Sequence, residues 1–255
     1  MNIQHLSFSR LKALQHSPRK LYNYLSEKKA ETPSMIEGRL LDCILFTPDQ
    51  FDSEYITLPE SLDRRTKEGK AEYARITGIA AEQGLSIVTS AQVTEASLLA
   101  VAVKESATVQ KHGLLNRELF KFQDFTDFEF GGFRHVGYRD AIGIDTKGRR
   151  VIWDLKRFGA KSGVQVGFEI RTGGYDLQAA IYCHEFDSQG EECVYYLIAV
   201  DNDGYVTPYC ITPEARERAR GQWEYLCSVA KKIDGTNFRQ GPEFYAPDGE
   251  FYLYT

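Results

Sequence analysis

The stretch of this chain richest in chemistry runs from Tyr138-Arg139-Asp140, across thirteen residues, to Asp154-Leu155-Lys156, and then to Tyr175, Gln178 and Tyr182. Val136 to Ile144 and Arg150 to Lys156 are rich in β-branched and aromatic residues and are separated by the turn Asp145-Thr-Lys-Gly148, so they read as paired antiparallel strands. Such pairing can set Asp140 and Asp154 opposite each other at roughly 4.5 to 5.5 Å. Two carboxylates at that separation repel unless a cation lies between them. A hard divalent ion such as Mg2+, which takes one or two carboxylates, waters and phosphate oxygens, meets the demand. Lys156 follows Asp154 by two residues, and the strand period of two puts both side chains on one face. Carboxylates, metal and ammonium together suit phosphodiester hydrolysis. The metal polarises the phosphoryl oxygen and lowers the pKa of bound water, while the lysine orients or deprotonates that water and offsets the developing charge. An Asp-Leu-Lys triplet alone is weak and reads equally as a surface salt bridge. The helix predicted over Tyr175 to Phe186 adds weight, because Tyr175, Gln178 and Tyr182 are spaced i, i+3 and i+7 on one face. Gln178 is polar among Leu177, Ala179, Ala180 and Ile181, whereas the two tyrosines fit core packing as well as function.

The elements that must position these groups follow from caps and periodicity. Ser7 caps a helix over Phe8 to Gln15, Ser17-Pro18 opens a second to about Leu25, and Pro33 opens a third. The third, Met35 to Phe46, puts Met35, Leu41 and Leu45, with Ile44 beside them, near one stripe, and holds Asp42 inside an otherwise apolar run. Tyr55 to Leu58 is a short strand. Arg64, Arg65, Lys67 and Lys70 lead into a helix of about Gly69 to Gln83, as a solvated helix start or a phosphate site. Ala91 to Lys111 is a core-facing helix. From Arg117 the period changes, and Glu118 to Phe122 and Glu129 to Phe133 join the two strands above in an antiparallel meander. Val194 to Val200 is a buried strand, Asp201 to Gly204 a turn into Tyr205 to Ile211, and Pro213 starts a last helix to about Ile233. The chain therefore reads as one domain over 1–255: a mostly helical part (1–115), a catalytic sheet with helices (116–235) and an extended tail (236–255).

These motifs occur in a familiar order. Ser7-Phe-Ser9 with Leu14 and Ser17-Pro18, Glu37-Gly38-Arg39-Leu-Leu-Asp42, Arg64 to Lys70, Arg139-Asp140, Asp154-Leu155-Lys156 and Tyr175-Asp-Leu-Gln178-Ala-Ala-Ile-Tyr182 resemble the PD-(D/E)XK nuclease superfamily. Within it they are most similar to the exonuclease VIII-like (RecE-type) phage recombination nucleases. The resemblance covers roughly His5 to Lys232 and implies an α/β fold, a central mixed β-sheet flanked by helices with a helical N-terminal region. It implies that Asp140 and Asp154 bind the metal, that the Leu155 carbonyl completes the coordination, and that Lys156 serves the nucleophilic water. Gln178 and Tyr182 match the family's Gln-x-x-x-Tyr helix motif, whose members sit beside the metal and touch the DNA backbone. The implied activity is Mg2+-dependent exonuclease action on linear double-stranded DNA, with Mn2+ as an alternative ion, from the 5′ strand. That would leave 3′ tails for a phage single-strand annealing recombinase.

Relatives form rings that thread DNA. A homo-oligomeric ring here would place Arg64, Arg65 and Lys161, with the tyrosines, toward the duplex. One position departs from the family: where a histidine usually follows Gly-x-x-x, the register Gly38-Arg-Leu-Leu gives Asp42, which can also ligate a hard cation. Glu118 aligns with an acidic position before the first core strand and is a candidate ligand or a support for one. Arg139 points away from Asp140 if its strand is regular, which favours a structural role. An endonuclease or single-strand nuclease on the same core stays open, as does a module that binds DNA or a protein without cleaving it.

Composition narrows the field. With 255 residues, 42% hydrophobic and 26% charged, the chain can bury a sizeable core and is far from the disordered class. No apolar run reaches the ~18 residues of a membrane span, and Met1 to Lys12 lacks a secretory signal, so the expected location is cytoplasmic. Five cysteines without a C-x-x-C exclude a disulfide framework and a zinc knuckle. They read as reduced core thiols, and the spacing of the last three is too wide for an iron-sulfur cluster, so none is expected. No H-E-x-x-H is present, and Gly159-Ala-Lys161-Ser162 lacks the glycines of a phosphate loop. A net charge of −5 removes the argument from a wholly basic domain and leaves a local basic groove.

Overall fold

The computed structural model describes residues 2–26, 31–159, 163–236, 238, 240–241 and 245. Three helices open the chain. In α1 (Phe8–His16) the Ser7 side chain accepts from the Arg10 N–H, α2 (Pro18–Ser26) begins on its proline, and α3 (Pro33–Phe46) is capped by Thr32. Each start satisfies or removes a backbone donor that a helix leaves orphaned. α3 buries Leu40, Leu41, Cys43, Leu45 and Phe46, whereas Met35 is 55% exposed. The expected stripe therefore holds from Leu41 onward and fails at Met35, which the first turn leaves in solvent.

Next come α4 (Phe51–Glu54), β1 (Tyr55–Leu58), α5 (Lys67–Gln83), β2 (Ser86–Thr89) and α6 (Ser90–Glu105). β2 pairs in parallel with β1 as a separate two-stranded sheet. It is four residues long, between a left-handed Gly84 and the capping box of α6, too short for its periodicity to show. The helix expected over Ala91 to Lys111 is two, because Ser106 leaves the helical region and α7 (Ala107–His112) restarts after it.

The main sheet has the order β3 (Phe120–Phe130), β4 (Phe133–Ile144), β5 (Arg150–Arg157), β6 (Cys193–Val200), β7 (Val206–Ile211), antiparallel except between β5 and β6. The parallel step is bridged by α8 (Gly163–Thr172) and α9 (Tyr175–Asp187), and α10 (Pro213–Ile233) follows β7. The two segments Glu118 to Phe122 and Glu129 to Phe133 are not separate strands. One strand runs through to the Gly131-Gly132 turn, whose residues have φ of 59° and 80°, and Phe133 begins the next. The polar residues between them belong to the half of the hairpin where burial alternates along β3.

Helices cover both faces. α1, α9 and α10 pack with Ile152, Leu177 and Trp223 on one side, and α3, α6 and α7 with Phe46, Val103, Trp153 and Leu155 on the other. β3 changes face partway along: Phe120 and Phe122 join the second layer, Phe128 and Phe130 the first, although all four share one parity. The switch falls at Gln123, with φ of 50° the one non-glycine residue of positive φ among those described, opposite Asp140 in the register. Four cysteines are buried as expected, but Cys210 is exposed. Among the described residues no helix is long and apolar enough to cross a membrane.

Candidate active site

β4 and β5 part where chemistry is concentrated. Their last ladder pair is Ala141 with Trp153, so the next position would set Asp140 against Asp154. Beyond it the Leu155 N–H donates to Asp140 Oδ2 at 2.7 Å, and a carboxylate takes the place of a backbone acceptor. Asp154 is 1% exposed. Its Oδ1 accepts from Gln178 Nε2 on α9 at 3.0 Å, while Oδ2 is ion-paired with the Lys156 ammonium. Lys156 Nζ also donates to the Leu155 carbonyl at 3.2 Å. Asp42, half-buried on α3, is the third carboxylate to act on this lysine.

Electrostatics follow from that crowding. Burial, reinforced by the neighbouring Asp154 charge, holds the Asp140 carboxyl well above its ordinary range. Burial pushes Asp42 up to about 7, with Lys156 opposing and Asp154 adding to the rise. Burial disfavours the Lys156 ammonium, but Asp154, Asp140 and Asp42 outweigh it and raise its pKa above the ordinary value. Three acids for one base leave negative charge in excess. Among the described residues no three His, Cys, Asp or Glu side chains already form a cage tight enough for an ion. The donor set nonetheless fits a hard divalent cation: it is all oxygen, and three carboxylates meet a single ammonium.

Tyr175, Gln178 and Tyr182 line one cavity of about 650 Å3 with Lys156, so α9 turns this face to the centre. Tyr182 lies against Gly137, where an added Cβ would meet its ring at 3.0 Å, so the bare backbone of β4 admits it. Burial raises the pKa of both phenols, that of Tyr182 to about 12. Arg139 is turned away from the centre and 2% exposed, paired with Asp124 and Glu185, as the alternation along β4 led one to expect.

Other candidates are not brought together here. Glu118 is exposed and lies before β3, its N–H held by the Asn116 side chain. The β3 residue level with Asp140 is Gln123, five residues further along the chain. Glu118, in the turn before β3, therefore stands apart from Asp140, Asp154 and Lys156. Arg65 pairs with Asp63 and Arg64 stacks on Tyr73, and neither shares a cavity with Lys156. Lys161 lies outside the described residues. Conversely, Lys12, His16 and Lys20 line the cavity beside Lys156, and Gln123 and Tyr138 line a second one, of about 460 Å3, with Asp42. No local pattern distinguished these five as site residues.

A mixed five-stranded sheet between helical layers, with acids and a lysine where two strands part, is a fold of the PD-(D/E)XK type. The chain belongs to the family described as PDDEXK-like domain of unknown function (DUF3799), whose model matches residues 7–233. None of the curated proteins matches it in sequence. Among solved structures, a protein of Eubacterium rectale described as a "Putative exonuclease" is 13% identical, with a TM-score of 0.60 over 90% of this chain and 81% of that one. That likeness shows a shared fold. SSO0001 is 14% identical over 95% of this chain and 97% of its own, at a TM-score of 0.34, and carries no argument. Family and fold together support a nuclease.

Proposed function

We propose that the protein is a metal-dependent deoxyribonuclease that hydrolyses the phosphodiester bonds of linear double-stranded DNA. Three carboxylates gathered on one lysine at the parted ends of β4 and β5 carry this reading. Asp140, Asp154 and Asp42, with the Leu155 carbonyl, would hold a divalent ion, Mg2+ or Mn2+. That ion supplies Lewis-acid polarisation of the phosphoryl oxygen and a bound water of lowered pKa. Lys156 keeps its proton beside the acids and stabilises the negative charge that builds on the phosphoryl oxygens, or orients the attacking water. Gln178 holds the Asp154 carboxylate in place through its amide, and Tyr175 and Tyr182 form the wall against which the strand lies. Glu118 is left out of this set.

The finer reading comes from the family resemblance. It is an exonuclease working 5′ to 3′, leaving 3′ tails for a single-strand annealing recombinase, as a ring in the cytoplasm, with Arg64 and Arg65 on the DNA side. Light scattering on a size-exclusion column tests the ring, and a monomer at micromolar concentration removes it. The activity is tested on a linear duplex labelled at either end, beside a nicked circle and single-stranded DNA, in Mg2+ and in Mn2+. Release from linear ends by wild type and not by Lys156→Ala is the expected result, and the labelled end gives the polarity. Cutting of circles makes it an endonuclease on the same core. Binding without cleavage in either metal overturns the enzyme reading and leaves a DNA-binding module.

A further inference from the structure

Strand alternation sends the residue after Lys156 the opposite way. Lys156 lines the cavity under α9, whereas Arg157, next along β5, reaches α3 and α6, the helices that cover Trp153 and Leu155 on the other face. Its side chain is 14% exposed, and each guanidinium nitrogen meets a different element. Nη1 donates to Glu37 on α3 at 3.0 Å, Nη2 to Glu95 on α6, and Nε to Asn202, in the turn after β6, at 3.1 Å. Arg157 is also the last β5 residue of the parallel ladder, level with Val200 of β6, so the fork stands on a paired strand end. A guanidinium is planar and always charged, and three such contacts fix direction as well as distance.

Glu37 belongs to the helix that carries Asp42. Five residues separate the two, roughly 7.5 Å of helix rise. Leu41, Leu45 and Phe46 attach α3 to the sheet by apolar burial, a force without direction that leaves the slide and rotation of a helix loosely set. The first turns of α3 have little packing to correct this: Met35 is 55% exposed, and nothing lies within 4 Å of where a Cβ on Gly38 would be. Polar contacts hold that end instead. Arg39 reaches Ser86 on the small sheet, and Glu37 reaches the main sheet through Arg157. The strand end that presents Asp154 and Lys156 thus also grips the helix that delivers the third carboxylate.

Resting on the nuclease reading above, we propose that Arg157 is a positioning residue: with Glu37 as its arm to α3, it sets Asp42 against Asp154 and Lys156 and so tunes the affinity of the centre for its divalent ion. The test measures Mn2+ binding to the full chain by calorimetry, without DNA, in wild type, Glu37→Gln, Arg157→Lys, Asp42→Asn and the double variant Glu37→Gln/Asp42→Asn. Glu37→Gln and Arg157→Lys should each weaken Mn2+ binding about tenfold, the scale of losing a contact that orients a ligand. The lysine keeps the charge and loses the fork. Adding Glu37→Gln to Asp42→Asn should cost less than about twofold more, because the arm acts through Asp42 and has nothing left to orient. A general loosening of the fold would instead weaken both backgrounds alike. Wild-type affinity in Glu37→Gln, Arg157→Lys or Asp42→Asn, or an equal loss from Glu37→Gln in both backgrounds, overturns the proposal. Failure of the nuclease reading shows separately, as no nucleotide release from any DNA by a wild type that binds Mn2+ in this pattern.

Discussion

At its turn the β4–β5 hairpin buries Asp145, and at its open end it buries Asp140 and Asp154. Asp145 is surrounded by donors: its Oδ1 accepts from the N–H groups of Lys147 and Arg149, at 2.9 and 3.0 Å, and its Oδ2 from the Arg149 guanidinium at 3.1 and 2.8 Å, with His112 Nδ1 also at 3.1 Å. Burial alone would push this carboxyl up, but those hydrogen bonds outweigh it and hold it at about 2. At the open end the ratio is reversed. Three carboxylates share one ammonium, one side-chain amide and one backbone N–H, and burial with mutual repulsion raises Asp140 and Asp42. One hairpin thus holds a closed acid site that secures a turn and an open one in which negative charge is in excess. Such an arrangement costs stability, and folds retain it chiefly where function uses the unmet charge.

The largest expected effect separates the two ends by activity. Lys156→Ala should lower kcat for DNA hydrolysis by roughly 10²- to 10⁴-fold, with circular dichroism unchanged, whereas Arg149→Ala at the turn should leave kcat alone. Next in size, and opposite in sign between the ends, is stability without metal. Asp145→Ala breaks a buried ion pair and should cost about 3 kcal/mol in urea unfolding, while Asp140→Asn relieves repulsion and should gain about 1 kcal/mol. Equal losses from both would erase the distinction.

Metal sharpens it further. Mg2+ at about a hundred times its Kd should stabilise wild type by about 2.7 kcal/mol in thermal melting and leave Asp154→Asn unmoved. The acid limb isolates the turn. Because the folded pKa of Asp145 lies near 2 against an ordinary 3.8, its contribution of about 2 kcal/mol is complete above pH 4 and disappears as pH falls through 2. Wild type minus Asp145→Asn stability should shrink over that window. Smallest of all, Glu118→Gln should change neither kcat nor KM, and a loss of about tenfold would return that residue to the centre.

Several features were legible because they depend on neighbours in the chain. The turn Asp145-Thr-Lys-Gly148 and the two β-rich segments around it fix a hairpin, the hairpin's register sets Asp140 against Asp154, and the period of two adds Lys156. The i, i+3, i+7 spacing brings Tyr175, Gln178 and Tyr182 to one face. Helix starts at Ser7, Pro18 and Pro33 were readable for the same local reason, and the structure adds Thr32 as the cap of the third. β2, the break at Ser106 and the continuity of β3 were not, since short pairing and face changes leave little periodic trace.

The sequence by itself determined the acids, the lysine and the amide that meet at one strand end, because strand alternation, turn chemistry and helical spacing operate within a few residues. Only the tertiary structure decided what surrounds them. It brings Lys12 and Lys156 to one cavity from positions far apart in the chain, admits Asp42 from α3, lines both cavities with Tyr138, and leaves Glu118 in the turn before β3. Which helix covers which face depends on the burial of whole apolar surfaces across the sheet, and no local spacing encodes that choice.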